Sequence, residues 1–169
     1  KNKVENARLF SEGRDVVNKN FNRLYVIEGN MTITGMAADY RMRLRPDVQL
    51  NFILSLVDAL NKKGAGIPIT VGGYTFDNLS KQFGLNIETL NTLVSDLLKY
   101  KGNSIIYAGD HLPEDVQIAV NMMNKVLGNE SLGVSGEIAH QVKEVFAIPG
   151  DKSLGAESLN VASAAAIVA

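Results

Sequence analysis

The chain has 169 residues, 46% hydrophobic and 21% charged, with a formal net charge of −1 and no cysteine. That composition suits one globular domain with a sizeable core. It excludes disulfides, cysteine-ligated zinc and cysteine-ligated iron–sulfur clusters within the chain, and it leaves attraction to nucleic acid to a local basic patch rather than to global charge.

No apolar run reaches the roughly 20 residues of a spanning helix, and the start, KNKVENARLF, lacks the core of a signal peptide. The absent initiating Met and the alanine-rich close read as a piece cut from a longer chain. Residues 1–22 are polar, rich in Asn and Lys, and are expected as a linker or loosely ordered arm. Residues 24–27 form an apolar run consistent with a buried strand, ended by the turn signal Glu28-Gly29-Asn30. Residues 42–45 alternate as a second short strand, closed by Pro46.

Asp47 stands where a helix N-cap belongs. Val48, Leu50, Phe52, Ile53, Leu54, Leu56, Val57 and Leu60 then fall nearly all round the next helix, which should be largely buried. Lys62 and Lys63 suit its C-terminal dipole and Gly64 its cap. Residues 64–75 read as a loop, and 88–98 carry an amphipathic stripe. Residues 104–108, SIIYA, are the strongest strand signal. Pro113, Glu114 and Asp115 then open a helix that Gly128 ends. Beyond it the pattern gives a short helix capped by Ser135, a strand over 145–148, a Gly-rich loop and a helix from about Glu157. The alternation predicts an α/β fold with a Rossmann-like, mostly parallel sheet and right-handed crossovers.

Between residues 22 and 129, a strand with an acidic end at Glu28 is followed by Thr34, Ala38-Asp39 and Arg45-Pro46-Asp47. The later segment KGNSIIYAGDHLPEDVQIAVNMMNKVLGN continues the pattern. This stretch resembles the molybdopterin oxidoreductase superfamily, and within it the large iron–sulfur subunit of alternative complex III. The resemblance implies a non-catalytic scaffold module of a quinol-oxidising electron-transfer complex. Its partners would be the protein subunits of a respiratory complex, and its location that membrane-associated complex. No Cys or Ser is placed as a molybdenum ligand. Glu28 could hold a ribose hydroxyl, and the amides after Asp47 or Pro113 a phosphate. The plainer expectation is that Glu28 is a turn carboxylate and Asp47 a cap.

Residues 127–169 carry LGNESLGVSGEI and then IPGDKSLGAESLNVASAAAIVA. This segment resembles the C-terminal motifs of the SpoU family of RNA 2′-O-ribose methyltransferases. The resemblance implies the end of an α/β trefoil-knot fold and S-adenosylmethionine as cofactor. It also implies tRNA or rRNA as substrate, a homodimer partner and a cytoplasmic location. It makes Gly128, Ile148, Pro149 and Leu159 cofactor contacts, and Glu130, Ser158 and Asn160 the catalytic candidates. The plainer expectation is that Ser158 and Asn160 cap a packed helix. That family's Asn-x-Gly motif, with Arg four residues after the Gly, has no counterpart at that spacing; the nearest set is Asn30, Gly35 and Arg41.

The expected organisation is an arm over 1–22, a molybdopterin oxidoreductase-like module over 23–128 and a SpoU-like segment over 129–169. A join near Leu127-Gly128-Asn129 would make the last two separable. No metal site is expected: His111, beside Asp110 and Glu114, reads as a surface-turn histidine, and His140 has no partner at ligand spacing. Arg41, Arg43 and Arg45 alternate along one strand face, either as a solvated edge or towards a phosphate or partner carboxylate. The scaffold reading stands first and the methyltransferase reading is its alternative.

Overall fold

A computed structural model describes residue 8 and residues 10–17, 20–128 and 165–168. Strands β1 (Arg14–Asp15) and β2 (Asn20–Phe21) pair antiparallel ahead of the main sheet. That sheet holds β3 (Leu24–Glu28), β4 (Tyr40–Arg43), β5 (Ile105–Ala108) and β6 (Ala165–Val168), in the order β4-β3-β6-β5. β4 is parallel to β3, whereas β6 is antiparallel to both β3 and β5. Three strands therefore run one way and β6 alone runs the other. The fold is α/β as expected, but the sheet is mixed, with one parallel ladder and two antiparallel ones.

The alanine-rich end was expected to be helical from about Glu157, yet Ala165–Val168 is a strand. Alanine favours helix by well under 1 kcal/mol per residue over most alternatives, about the size of one backbone hydrogen bond. A strand inserted between two others gains ladders on both edges, which outweighs that preference.

Among the described residues five helices connect the strands: α1 (Ile33–Met36), α2 (Gln49–Lys62), α3 (Phe76–Phe83), α4 (Ile87–Lys99) and α5 (Glu114–Leu127). Alternation of side chains along each strand sorts the core into two faces. On one face Tyr25, Ile27, Met42, Leu44, Ile106 and Ala108 pack with the buried sides of α2 to α5. On the other, Leu24 and Val26 pack with Phe10 and Ala38. The chain passes from β3 through α1 to β4 over this second face. It returns through α2, α3 and α4 to β5 over the first. Connections running opposite ways along a sheet lie on opposite faces when both have the same hand.

The expected helix around 48–63 is α2, and its buried residues include Phe52, Ile53, Leu56, Val57 and Leu60. Asp47 does not cap it. Residues Pro46–Val48 form a 3-10 turn, and the Asp47 carboxylate is taken by Arg45 instead. α3 was not foreseen; Thr75 accepts from Asn78 N at 3.3 Å at its start, and Gly84, in the left-handed region at φ 67°, ends it. α4 is capped by Asn86, which accepts from Glu88 N at 2.8 Å and Thr89 N at 3.1 Å. Of the residues expected as a polar arm, those described fold back. The Arg14 guanidinium lies 4.4 Å from the Phe10 ring and 5.0 Å from the Phe21 ring, and it pairs with Asp39.

Candidate functional site

β3, β4 and β5 end on the same side of the sheet, at Glu28, Arg43 and Ala108, and β6 begins there, with Ala165 opposite both Ile27 and Ala108. The chain leaves β3 for β4 on one side and reappears at β5 on the other. Open α/β sheets hold ligands at the C-terminal ends of strands around such a reversal. Here β6 fills the gap between the two halves.

Glu28, the last residue of β3, is fully buried rather than a carboxylate in a solvated turn. The chain after it folds back as α1, and Thr32 Oγ1 donates to Glu28 Oε2 at 2.7 Å. The Thr32 amide lies 3.3 Å from each carboxylate oxygen, and Arg41 Nε donates to Oε1 at 2.5 Å from the neighbouring strand. Thr32 Oγ1 in turn accepts from Gly35 N at 3.0 Å. A Cβ on Gly35 would stand 1.9 Å from Glu28 Oε1, so α1 can sit this close only with glycine there. With its oxygens engaged and its side chain enclosed, Glu28 is not open to a ribose hydroxyl. Its role here is to fix the Arg41 guanidinium.

Arg41 therefore does not stand on a solvated edge as one of three equivalent arginines; its side chain is only 25% exposed. Arg43 is exposed, with Nε 3.4 Å from Gly29 O. Arg45, exposed too, is neutralised by Asp47 two residues on.

At the end of β5, burial and then the neighbouring Asp110 push the Tyr107 phenol up to about 12. His111 is held below its ordinary value by burial, against an opposing pull from Asp110. Among the described residues no group of three or more His, Cys, Asp or Glu side chains could hold a metal.

A second polar network sits at the start of β3. Tyr25 OH donates to Asp96 Oδ2 at 2.5 Å, and Arg23 donates to the same oxygen at 2.7 Å. The Asp96 hydrogen bond and charge hold the Arg23 guanidinium above its ordinary range, while burial and then Asp96 raise the Tyr25 phenol. The Tyr25 ring stacks on Tyr40 at 4.7 Å and 9°. The sequence signal for this network was a single acidic residue, Asp96, next to the apolar stripe of α4.

Gly128 lies at the other end of the sheet. α5 runs back from β5, and Leu127 O accepts from Gly102 N at 2.8 Å just ahead of that strand. Gly128 N donates to Asn124 O at 2.8 Å, and a Cβ at Gly128 would stand 2.3 Å from that oxygen. Side chains are thus excluded at this position, and the Gly128 amide is committed. The other sequence-predicted residues, Glu130, Ile148, Pro149, Ser158, Leu159 and Asn160, lie outside the described residues, as do Ser135, His140 and the expected strand over 145–148.

The geometry defines an α/β protein whose C-terminal strand closes the gap at the reversal point of its sheet. Residues 78–169, more than half of the chain, match the sequence model of the SpoU rRNA Methylase family, and the chain belongs to that family. No characterised protein and no solved structure matches it.

The family match begins in α3 and covers α4, β5 and α5, all within the stretch assigned above to a molybdopterin oxidoreductase-like module. KGNSIIYAGDHLPEDVQIAVNMMNKVLGN, half of what carried that resemblance, lies inside the match. The reading of a scaffold in a quinol-oxidising complex is overturned, and with it electron transfer and the respiratory partners. A strand, an acidic turn and a helix opened by proline recur in any α/β chain, because each element solves the same local backbone problem. The match also spans Leu127-Gly128-Asn129, where a join was expected.

Proposed function

We propose that the protein is an S-adenosylmethionine-dependent RNA methyltransferase acting on ribose 2′-hydroxyls, and that it works in the cytoplasm on tRNA or rRNA, paired with a second copy of itself. The family match over residues 78–169 carries this reading. In it, residues 23–128 supply β3, β4, β5 and the helices, and 128–169 supply β6 and the family's motifs.

Gly128, Ile148, Pro149 and Leu159 would hold the cofactor, which supplies an electrophilic methyl group when bound. Gly128 fits a backbone contact: it admits no side chain, and no donor among the described residues takes its carbonyl. Its amide is spent on Asn124, so the carbonyl is the atom it has to offer. Glu130, Ser158 and Asn160 would orient the RNA and its reacting hydroxyl, Glu130 through its carboxylate and Ser158 and Asn160 through short polar side chains of the kind that cap helix starts. No helix among the described residues is long and apolar enough to cross a membrane.

Titration calorimetry with S-adenosylmethionine and with its demethylated product tests this reading. Saturable binding lost in Asn160→Ala supports it, as does transfer of a labelled methyl group to RNA. Absence of binding at millimolar ligand removes it.

A further inference from the structure

We infer that Arg41 and Arg43 on β4 form a clamp for an RNA phosphate, outside the residues that match the family. The inference rests on the RNA reading above, and three observations carry it.

The first is placement. β4 is the outermost strand of the sheet among the described residues, and Arg41 and Arg43, two residues apart, project from the same face at its C-terminal end. The chain as a whole carries a formal net charge of −1, so an RNA-binding surface has to be local. Residues 41–45 place three arginines within five positions.

The second is how each guanidinium is held. Arg41 is anchored through Nε by the buried Glu28, and the Arg43 Nε lies 3.4 Å from Gly29 O. Among the described residues neither arginine's terminal nitrogens have a partner. A guanidinium fixed by its Nε presents its two terminal N–H groups as a fork, the geometry that meets phosphate oxygens in pairs. Fixing it in advance lowers the entropy cost of binding.

The third is charge. Glu28 balances Arg41, and Asp47 takes both the Nε and one terminal nitrogen of Arg45. Arg43 is left as the uncompensated cation of the row, with Arg41 beside it as an oriented donor. That suits one phosphodiester, which carries a single negative charge. Phosphate contacts of this kind position a nucleic acid without reading its sequence.

The test is fluorescence anisotropy of the full chain with a labelled single-stranded RNA over a range of salt. Arg43→Gln is expected to flatten the dependence of log K on log salt by about 0.7 and to weaken binding about fivefold near 0.1 M salt. Arg41→Lys keeps the charge and removes the fork, and should weaken binding with little change in slope. Arg45→Gln together with Asp47→Asn, which leaves the local net charge as it is, should leave both unchanged. Far-ultraviolet dichroism checks that each variant is folded, and Arg43, being exposed, is the variant least prone to disturb the fold. RNA binding by the parent chain that Arg43→Gln leaves unaltered, or that the Arg45→Gln, Asp47→Asn pair lowers equally, overturns the clamp alone and leaves the arginines as charges that blunt an outer strand. No RNA binding by the parent chain overturns the clamp and the RNA reading together.

Discussion

Replacing Gly35 with alanine should destabilise the protein through Glu28. The added Cβ would stand 1.9 Å from Oε1, 2.6 Å from Cδ and 2.8 Å from Oε2. Ordinary contact needs about 3.4 Å, so Glu28 or α1 has to give by about 1.5 Å, enough to break a hydrogen bond outright. Oε1 is the atom that receives Arg41 Nε, and Oε2 receives the Thr32 hydroxyl. Losing one charged bond and weakening a second removes about 3–5 kcal/mol, against which alanine returns about 1 kcal/mol of helix preference. The expected net loss is about 2–4 kcal/mol, or a melting point lower by about 5–15 °C for a chain of this size. Urea unfolding followed by far-ultraviolet dichroism measures it. The decisive arm is the same substitution in a Glu28→Ala background, where the clash is gone and Gly35→Ala should be neutral or stabilising by up to about 1 kcal/mol. An equal cost in both backgrounds would refute the steric argument, and so would a single variant as stable as the parent.

Three further outcomes follow from the same contacts. Asn124 spans the edge of β5 that has no strand neighbour among the described residues, donating to Ile106 O at 2.7 Å and accepting from Ile106 N at 2.8 Å, so Asn124→Ala should cost about 2 kcal/mol. It should also raise self-association by opening that edge, which sedimentation velocity at increasing concentration would show. Tyr25→Phe deprives Asp96 of one of two donors and should cost about 1–2 kcal/mol in urea unfolding; a neutral result would mean Arg23 alone satisfies Asp96. Between neutral pH and the ordinary tyrosine value of 10.0 Tyr107 leaves stability unchanged, and above it stability should fall as pH rises towards about 12, because Tyr107 keeps its proton when folded and gives it up when unfolded. Tyr25 acts in the same direction, so two of the five tyrosines should ionise late by absorbance at 295 nm.

The elements that follow local rules were legible in the sequence. Leu24–Glu28 and Ile105–Ala108 announce themselves as apolar strands, and α2, α4 and α5 by period and end signals, because the forces that set them act within a few residues. The misses are places where a distant partner decides. Glu28 reads as a turn carboxylate until α1 folds over it and Arg41 arrives from the next strand. Asp96 reads as the polar side of a helix until Tyr25, 71 residues earlier, donates to it. Ala165–Val168 reads as helix until strands on both sides offer it hydrogen bonds.

The same distinction bears on the functional reading. The scaffold assignment rested on strand, turn and helix signals that any α/β chain repeats, so it had little power to separate one family from another. The SpoU signal rested on particular residue types at fixed spacing, Gly128 and Glu130 in one segment and Ser158, Leu159 and Asn160 in another, which packing alone does not call for. That is why the shorter resemblance was the informative one. The proposed cofactor contact at Gly128 and the arginines of β4 stand at opposite ends of the sheet. An RNA reaching from one to the other would have to run along a face rather than across an edge. Crosslinking of a site-specifically labelled RNA to residues near Arg43 and near Gly128 in the same complex tests that path, and crosslinks confined to one end would show that the two contacts belong to different RNA-bound states or different copies of the chain.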